Sequence, residues 1–226
     1  LKAYGVTDNG GFAEYCSVSE SNVFNINDMP FHLAALAEPM GCVLNGIDTI
    51  RAAHINESMI IGAGPIGLLM AFALQAKGAD AVKIVDINEQ RLQLAGELGF
   101  EPIESHSKEL IKCRRSMDLV VEATGKSSVA QSTIDYVANG GSALLFGICS
   151  PKSKIEISPY ELFRRQINIG GSHSLNHNLI NSLSVINQFE GPISKLVSHR
   201  VPIEEIKPFF ESFGQKETLK VQAIFE

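Results

Sequence analysis

The six residues Gly62-Ala63-Gly64-Pro65-Ile66-Gly67 have the types and spacing to hold a phosphate group. Glycine at the first position permits a tight turn, and at the second it lets a pyrophosphate approach the backbone. The third allows a following helix to pack closely on the preceding strand, and the N-terminus of that helix offers free amides to an anion. Asp86 lies 24 positions beyond Gly62. A carboxylate there accepts hydrogen bonds from ribose hydroxyls and repels a 2′-phosphate. Ile87 stands where a site for a 2′-phosphate would want an arginine. Arg91, one helical turn on, can approach the ribose or adenine, or can simply be a solvated helix residue. With a strand before it and a helix after it, this turn predicts a dinucleotide site built from Gly62, Gly64, Pro65, Ile66, Gly67, Asp86, Ile87 and Arg91. The cofactor expected is NAD in preference to NADP. A chance glycine turn, or an S-adenosylmethionine fold with its own acid after the second strand, would leave a similar trace.

The elements that must position these residues alternate along the chain. Met59-Ile60-Ile61 leads into the glycine turn, and Ile66 to Lys77 reads as a helix. Ala81 to Val85 is a strand ending at Asp86, and Glu89 to Leu98 is an amphipathic helix with Leu92, Ala95 and Leu98 on one face. Met117 to Val121 reads as a strand, Ser128 to Val137 as a helix, and Asn139-Gly140-Gly141 as a turn. Ser142 to Phe146 and Ile167-Asn168-Ile169 are further strands. Strands apolar on both faces, alternating with helices, predict an α/β fold with a doubly wound parallel sheet. The ends differ. Residues 1 to 33 are loop-rich, with Phe12 to Val18 as their best strand. Beyond Asn176 come a helix, a strand around Ser198 to Val201, a helix from Ile203 to Ser212 and a strand from Lys220 to Ile224.

Composition narrows the class. Lys plus Arg is 19 and Asp plus Glu is 25, a formal net charge of −6 with no basic run, which argues against a nucleic-acid partner. Hydrophobic residues at 45% suffice for a substantial core. Ser58 to Ala76 carries no charge over 19 residues, but Gly62, Gly64, Pro65 and Gly67 would break a spanning helix at its middle, so no membrane segment is expected. Cys16, Cys42, Cys113 and Cys149 form no CxxC pair and read as reduced thiols of a cytoplasmic protein. The chain begins with Leu1, and its start is expected to lie inside a longer chain.

Several further segments share one order. They are Gly10-Gly11-Phe12-Ala13-Glu14-Tyr15, Ala37-Glu38-Pro39-Met40-Gly41-Cys42, the glycine turn, Val121-Glu122-Ala123-Thr124-Gly125, Ile169-Gly170-Gly171-Ser172 and Ser198-His199-Arg200-Val201-Pro202. In this set and spacing the chain resembles the zinc-containing medium-chain dehydrogenases of the sorbitol, polyol or alcohol dehydrogenase type. The resemblance covers essentially all of the sequence and corresponds to their C-terminal two-thirds. It implies that residues 1–37 and 176–226 are parts of a GroES-like catalytic domain, while 38–175 form the Rossmann domain. Polyol-type members carry a Glu-Pro at the distance of Glu38-Pro39, where ethanol-type members carry a zinc-binding cysteine. Glu38 is therefore expected to serve a catalytic Zn²⁺, with the other ligands upstream of Leu1. Without the resemblance Glu38 would be an ordinary acid at a helix N-terminus. Cys42 reads as a small buried core residue, with a second ligand role as the alternative.

By the same resemblance Ala123 and Thr124 line the adenosine side, while Gly147, Ile148, Ser172 and His173 approach the nicotinamide. Glu122 is a charge within an apolar strand, and it either caps a crevice or pairs with a base. Polyol dehydrogenases often show Arg-Tyr after the sixth strand, where this chain has His173-Ser174, which puts a sugar alcohol in doubt as the substrate. His32, His54, His106, His177 and His199 show no metal-ligand spacing and are expected on loops or surfaces. The activity implied is NAD-dependent, zinc-assisted oxidation of a small-molecule secondary alcohol or polyol to a ketone, in a homo-oligomer (dimer or tetramer). The present chain is expected to be an inactive segment of that enzyme. The rivals are a zinc-free quinone or enoyl reductase of the same superfamily and a non-catalytic NAD-binding module.

Overall fold

Strands that are apolar on both faces need cover on both faces, and the alternating helices of this chain supply it. The computed structural model describes residues 3–50, 55–211 and 218–225. The chain enters through α1 (Phe31–Ala34) and α2 (Ala37–Asp48). It then runs β1 (Glu57–Ile61), α3 (Pro65–Ala76), β2 (Ala81–Asp86), α4 (Glu89–Glu97), β3 (Glu101–Glu104) and α5 (Lys108–Lys112). Next come β4 (Met117–Glu122), α6 (Ser127–Ser132), β5 (Val137–Leu145), α7 (Pro159–Arg165) and β6 (Asn168–Gly171). The last elements are α8 (Leu179–Gln188), α9 (Glu190–Ser194), β7 (Val197–Pro202), α10 (Lys207–Glu211) and β8 (Lys220–Ile224).

Six strands pair in parallel in the order β3-β2-β1-β4-β5-β6, and β7 and β8 form a separate parallel pair. This is the Rossmann-like, doubly wound sheet that the strand pattern predicts. Successive residues of each strand point to opposite faces and so feed two separate cores. Ile60, Ile84, Leu119, Val121 and Leu144 join one core, with α2, α3 and α8. Met59, Val85, Val120 and Ala143 join the other, with Ile103, Leu110, Ile134 and Ile167. The helix α3 is buried along the whole run Gly67 to Leu74, as expected of a helix apolar all round. Phe72 anchors it, edge-to-face with Phe100 at 5.0 Å between centroids and 5.3 Å from Phe189.

The structure departs from the sequence reading in places. Phe12 to Val18 is not a strand; it has no sheet neighbour among the described residues, and an extended segment without a ladder leaves its amides to water. The helix expected over Ser128 to Val137 stops at Ser132, passes into a 3₁₀ turn, and Val137 already opens β5. Asn139-Gly140-Gly141 consequently lies inside β5, where the register against β4 shifts and Gly140 adopts φ +79°. Buried Arg165 holds this irregular stretch, bonding the carbonyls of Ile134 (3.4 Å) and Val137 and the Asn139 side chain (3.3 Å). The helix expected over Ile203 to Ser212 divides into a 3₁₀ turn, Ile203–Glu205, and α10; Ser212 lies outside the described residues. His32 sits in α1 and His199 in β7, both half-buried rather than on loops; His54 lies outside the described residues. The short β3, α5 and α7 have no counterpart in the sequence reading.

Phe72 and Phe163 offer a direct check on this packing, being 1% and 81% exposed. Phe72→Ala should cost about 3–5 kcal/mol in urea unfolding, while Phe163→Ala should stay within about 0.5 kcal/mol. Equal losses would mean that α3 is not the central helix.

Candidate functional site

In a parallel sheet all strands end on one edge, and in the order β3-β2-β1-β4 the direction in which successive strands are added reverses between β1 and β4. Loops leaving β1 and β4 therefore diverge to opposite faces and open a crevice at their C-terminal ends. The glycine turn leaves β1 on one side of it. Gly62 takes φ +119°, and a β-carbon on Gly67 would lie 1.8 Å from the Gly62 carbonyl oxygen. Only glycine permits so close a return of the helix onto the strand. Pro65 and Ile66 then form the first turn of α3, whose N-cap, Gly64, has no side-chain bond to the leading amides.

Asp86 ties the second strand to this turn. Its Oδ2 accepts the Ala63 N–H at 2.7 Å, and its Oδ1 accepts the N–H groups of Ile87 and Asn88 at 2.7 and 2.9 Å. The carboxylate thus braces the glycine turn and the β2–α4 loop together. Asn88 caps α4 by accepting from the amides of Gln90 (3.0 Å) and Arg91 (3.3 Å), which sets where Arg91 emerges. These groups border a cavity of about 770 Å³, large enough for a nucleotide. Of the residues singled out in the sequence, Gly62, Gly64, Asp86, Ile87, Arg91, Ala123 and Thr124 line it, joined by Lys126. The Arg91 Nε is buried without a hydrogen-bond partner among the described residues, and its guanidinium reaches the Gly64 position. The bare amides, the cation and the cradle that a β-carbon would fill all fit a dinucleotide.

Gly147, Ile148, Ser172 and His173 lie outside that cavity, beyond the ends of β5 and β6. These two ends are adjacent, since Leu145 pairs with Gly171. The helix α2 runs alongside, close enough that a β-carbon on Gly46 would sit 2.9 Å from the Phe146 ring and 3.2 Å from the Ser172 hydroxyl. Asn45, also on α2, donates its side-chain N–H to the carbonyls of His173 (3.2 Å) and Ser174 (2.9 Å). The reading from sequence missed Asn45; a buried amide within an apolar helix was its one available signal.

Glu38 stands exposed in the first turn of the same helix. Cys42 is not a core residue as expected: one helical turn on, it is half-buried and donates its thiol to Glu38 Oε1 at 3.3 Å. Burial first, and the adjacent carboxylate second, push the Cys42 thiol up to about 12, so it stays protonated at neutral pH. No group of three or more His, Cys, Asp or Glu side chains that could hold a metal occurs among the described residues. Among the described residues Glu38 offers a zinc one carboxylate with the Cys42 thiol beside it, short of the three protein ligands a catalytic zinc takes. Glu122 pairs with no base among the described residues. It is fully buried and turns back on its own chain, Oε1 accepting the amides of Thr124 and Gly125.

Among the described residues, no helix is long and apolar enough to cross a membrane, and the four cysteines are unbridged. Residues 31–224 match the family model for the glucose dehydrogenase C-terminus. A D-altritol 5-dehydrogenase from Agrobacterium fabrum (strain C58 / ATCC 33970) is 45% identical over 98% of this chain and 68% of its own length. A D-arabinitol dehydrogenase 1 from Uromyces fabae is 31% identical over 98% of this chain and 66% of its own. The chain thus spans about two thirds of the length of these relatives. In fold it is similar to the crystal structure of a zinc-binding dehydrogenase from Sinorhizobium meliloti 1021 bound to NADP, with TM-score 0.91 and 24% identity over 99% of this chain and 68% of that one. On the family model and the 45% relative, the chain belongs to the zinc-containing medium-chain dehydrogenase family and corresponds to its C-terminal, cofactor-binding portion.

Proposed function

We propose that the protein is the cofactor-binding part of an NAD-dependent dehydrogenase that oxidises a secondary alcohol or polyol to a ketone with the help of zinc. The observation that carries this reading is the crevice between β1 and β4, where Asp86 is fixed on the glycine turn beside bare helix amides. The names of the relatives, both polyol dehydrogenases, support the substrate class. In this reading 38–175 form the dinucleotide unit, with 1–37 and 176–226 belonging to a GroES-like catalytic unit. The core around α3 also takes in Leu33, Leu36, Ile186, Ile193 and Leu196, so the two units share packing. The exposed β6 edge of the sheet supports a homo-oligomer, and four unbridged thiols support a cytoplasmic setting.

The chain's own groups divide the work. The amides at the start of α3 receive the pyrophosphate, with Arg91 as a cation at the same turn. Asp86 holds the turn and has lone pairs left for ribose hydroxyls, while Ile87 offers nothing to a 2′-phosphate. Gly147, Ile148, Ser172 and His173 border the space for the nicotinamide. Glu38 projects from α2, which Asn45 binds to that same border, so a zinc donor and the nicotinamide wall are held by one rigid element. When bound, NAD supplies the hydride acceptor and zinc the Lewis acid that lowers the pKa of the alcohol.

Cofactor choice tests the assignment of Asp86 and Ile87. Calorimetric titration should show the native chain binding NAD at least tenfold more tightly than NADP, about 1.4 kcal/mol. Asp86→Gly with Ile87→Arg should reverse much of that ratio. Because Asp86 also braces Ala63, Ile87→Arg alone serves as the gentler variant and should raise NADP affinity without loss of stability. Equal affinity of the native chain for both cofactors would sink the assignment.

The metal gives a second test. Dialysed against a chelator, the 226-residue chain should keep well under one equivalent of zinc by elemental analysis. Absorbance at the NADH band should stay flat with sorbitol, butanediol or threonine, although NAD binds. A full equivalent of zinc would mean that further ligands in this chain complete a site, Cys42 and His173 first among them, and measurable turnover would place the metal site elsewhere.

A further inference from the structure

We infer that Glu122 is a positioning residue that fixes the ends of β4 and β5 in the shape the dinucleotide needs. Fully buried at the end of β4, Glu122 is the hub of two loops, one bonded to its carboxylate and the other to its backbone carbonyl. Oε1 accepts three hydrogen bonds from the β4–α6 turn, namely the Thr124 N–H at 2.6 Å, the Gly125 N–H at 2.9 Å and the Thr124 hydroxyl. The Thr124 hydroxyl in turn accepts the Lys126 N–H at 3.1 Å, which carries the order to the start of α6. The Glu122 carbonyl accepts the N–H groups of Phe146 (3.0 Å) and Gly147 (2.8 Å), so the same residue also sets where β5 ends.

The two loops meet with no room to spare. A β-carbon on Gly147 would lie 2.5 Å from Glu122 Oε2 and 2.2 Å from the Gly125 nitrogen, and one on Gly125 would lie 2.7 Å from the Ile148 carbonyl oxygen. On the other side, Gly62 of the glycine turn is held against the Ala123 carbonyl, where its β-carbon would come within 3.2 Å. Glu122 therefore joins the cavity wall at Ala123 and Thr124 to the Gly147–Ile148 segment. Its Oε2 is buried without a hydrogen-bond partner among the described residues. Leaving half of a buried carboxylate unbonded is costly, and that cost falls where three donors of the β4–α6 turn are held. The group is placed for what it does to the loops.

This inference rests on the crevice being a dinucleotide site, and the experiment separates the two. NAD dissociation constants and melting temperatures would be measured for the native chain, Glu122→Ala, Glu122→Gln and Thr124→Val. Glu122→Ala leaves three donors without their acceptor and should weaken NAD at least tenfold. Glu122→Gln keeps an acceptor at Oε1 and should stay within about threefold of native. If Glu122→Ala does not fold, Thr124→Val removes one of the three bonds and should still weaken NAD several-fold. A folded Glu122→Ala that melts earlier but binds NAD normally would overturn the positioning role, as would a Glu122→Gln no better than Ala. A native chain that binds no NAD would instead overturn the dinucleotide reading itself.

Discussion

The return of α3 onto β1 at Gly62 and Gly67 is a backbone-on-backbone contact, and the rest of the cleft is arranged around it. With no side chain at Gly67, the helix begins directly behind the strand end and its leading amides face the crevice. With any side chain there, the helix would be pushed away from the sheet, and Phe72 would lose its place against Phe100 and Phe189. Core and site are thus two consequences of one close approach. Asp86 completes the arrangement from the neighbouring strand, since its bond to Ala63 resists any opening of the turn. The same carboxylate that sets the fold of the turn is the one facing the cavity.

A second feature is the double duty of α2. Its apolar face, Met40, Val43, Leu44 and Ile47, belongs to the core around α3. Its glycines and Asn45 bring it against the segment that follows β6, and Glu38 projects from its first turn. Burial on one side and hydrogen bonding on the other leave this helix little freedom to rotate. The spacing between Glu38 and the β5 and β6 ends is therefore inherited from hydrophobic packing rather than from the flexible reach of a loop.

Much of this was readable from residue order, and the failures have physical causes. The central strands announce themselves by their buried β-branched runs, and α3 because burial on all sides leaves no polar interruption from Gly67 to Leu74. The glycine turn and Asp86 are visible since each residue type there is forced by geometry. The short β3 and α5 escape because Glu101 to Glu104 holds Ile103 as its one buried residue. Phe12 to Val18 misleads since alternating apolar residues describe a face to be covered, and say nothing about whether a pairing strand is present. Cys42 looks like core by type, yet it is only half-buried, and burial first with the Glu38 carboxylate second keeps its thiol protonated. Glu122 stands out in the sequence as a charge in an apolar strand but cannot be interpreted there, because its carboxylate takes the amides of Thr124 and Gly125 and the Thr124 hydroxyl rather than a base.

The pairing of β1 with β4 joins residues about sixty positions apart, Ser58 opposite Leu119 and Ile61 opposite Glu122. No local segment can form the crevice in advance, since its two walls meet only when that long loop has closed. A molecule that binds there finds nothing to hold in the unfolded chain or in an early helix-containing collapsed state. Its stabilising effect then falls on the finished fold and acts on the rate of unfolding, leaving the rate of folding nearly unchanged. For a protein built this way, ligand supply governs how long each molecule lasts rather than how quickly it matures.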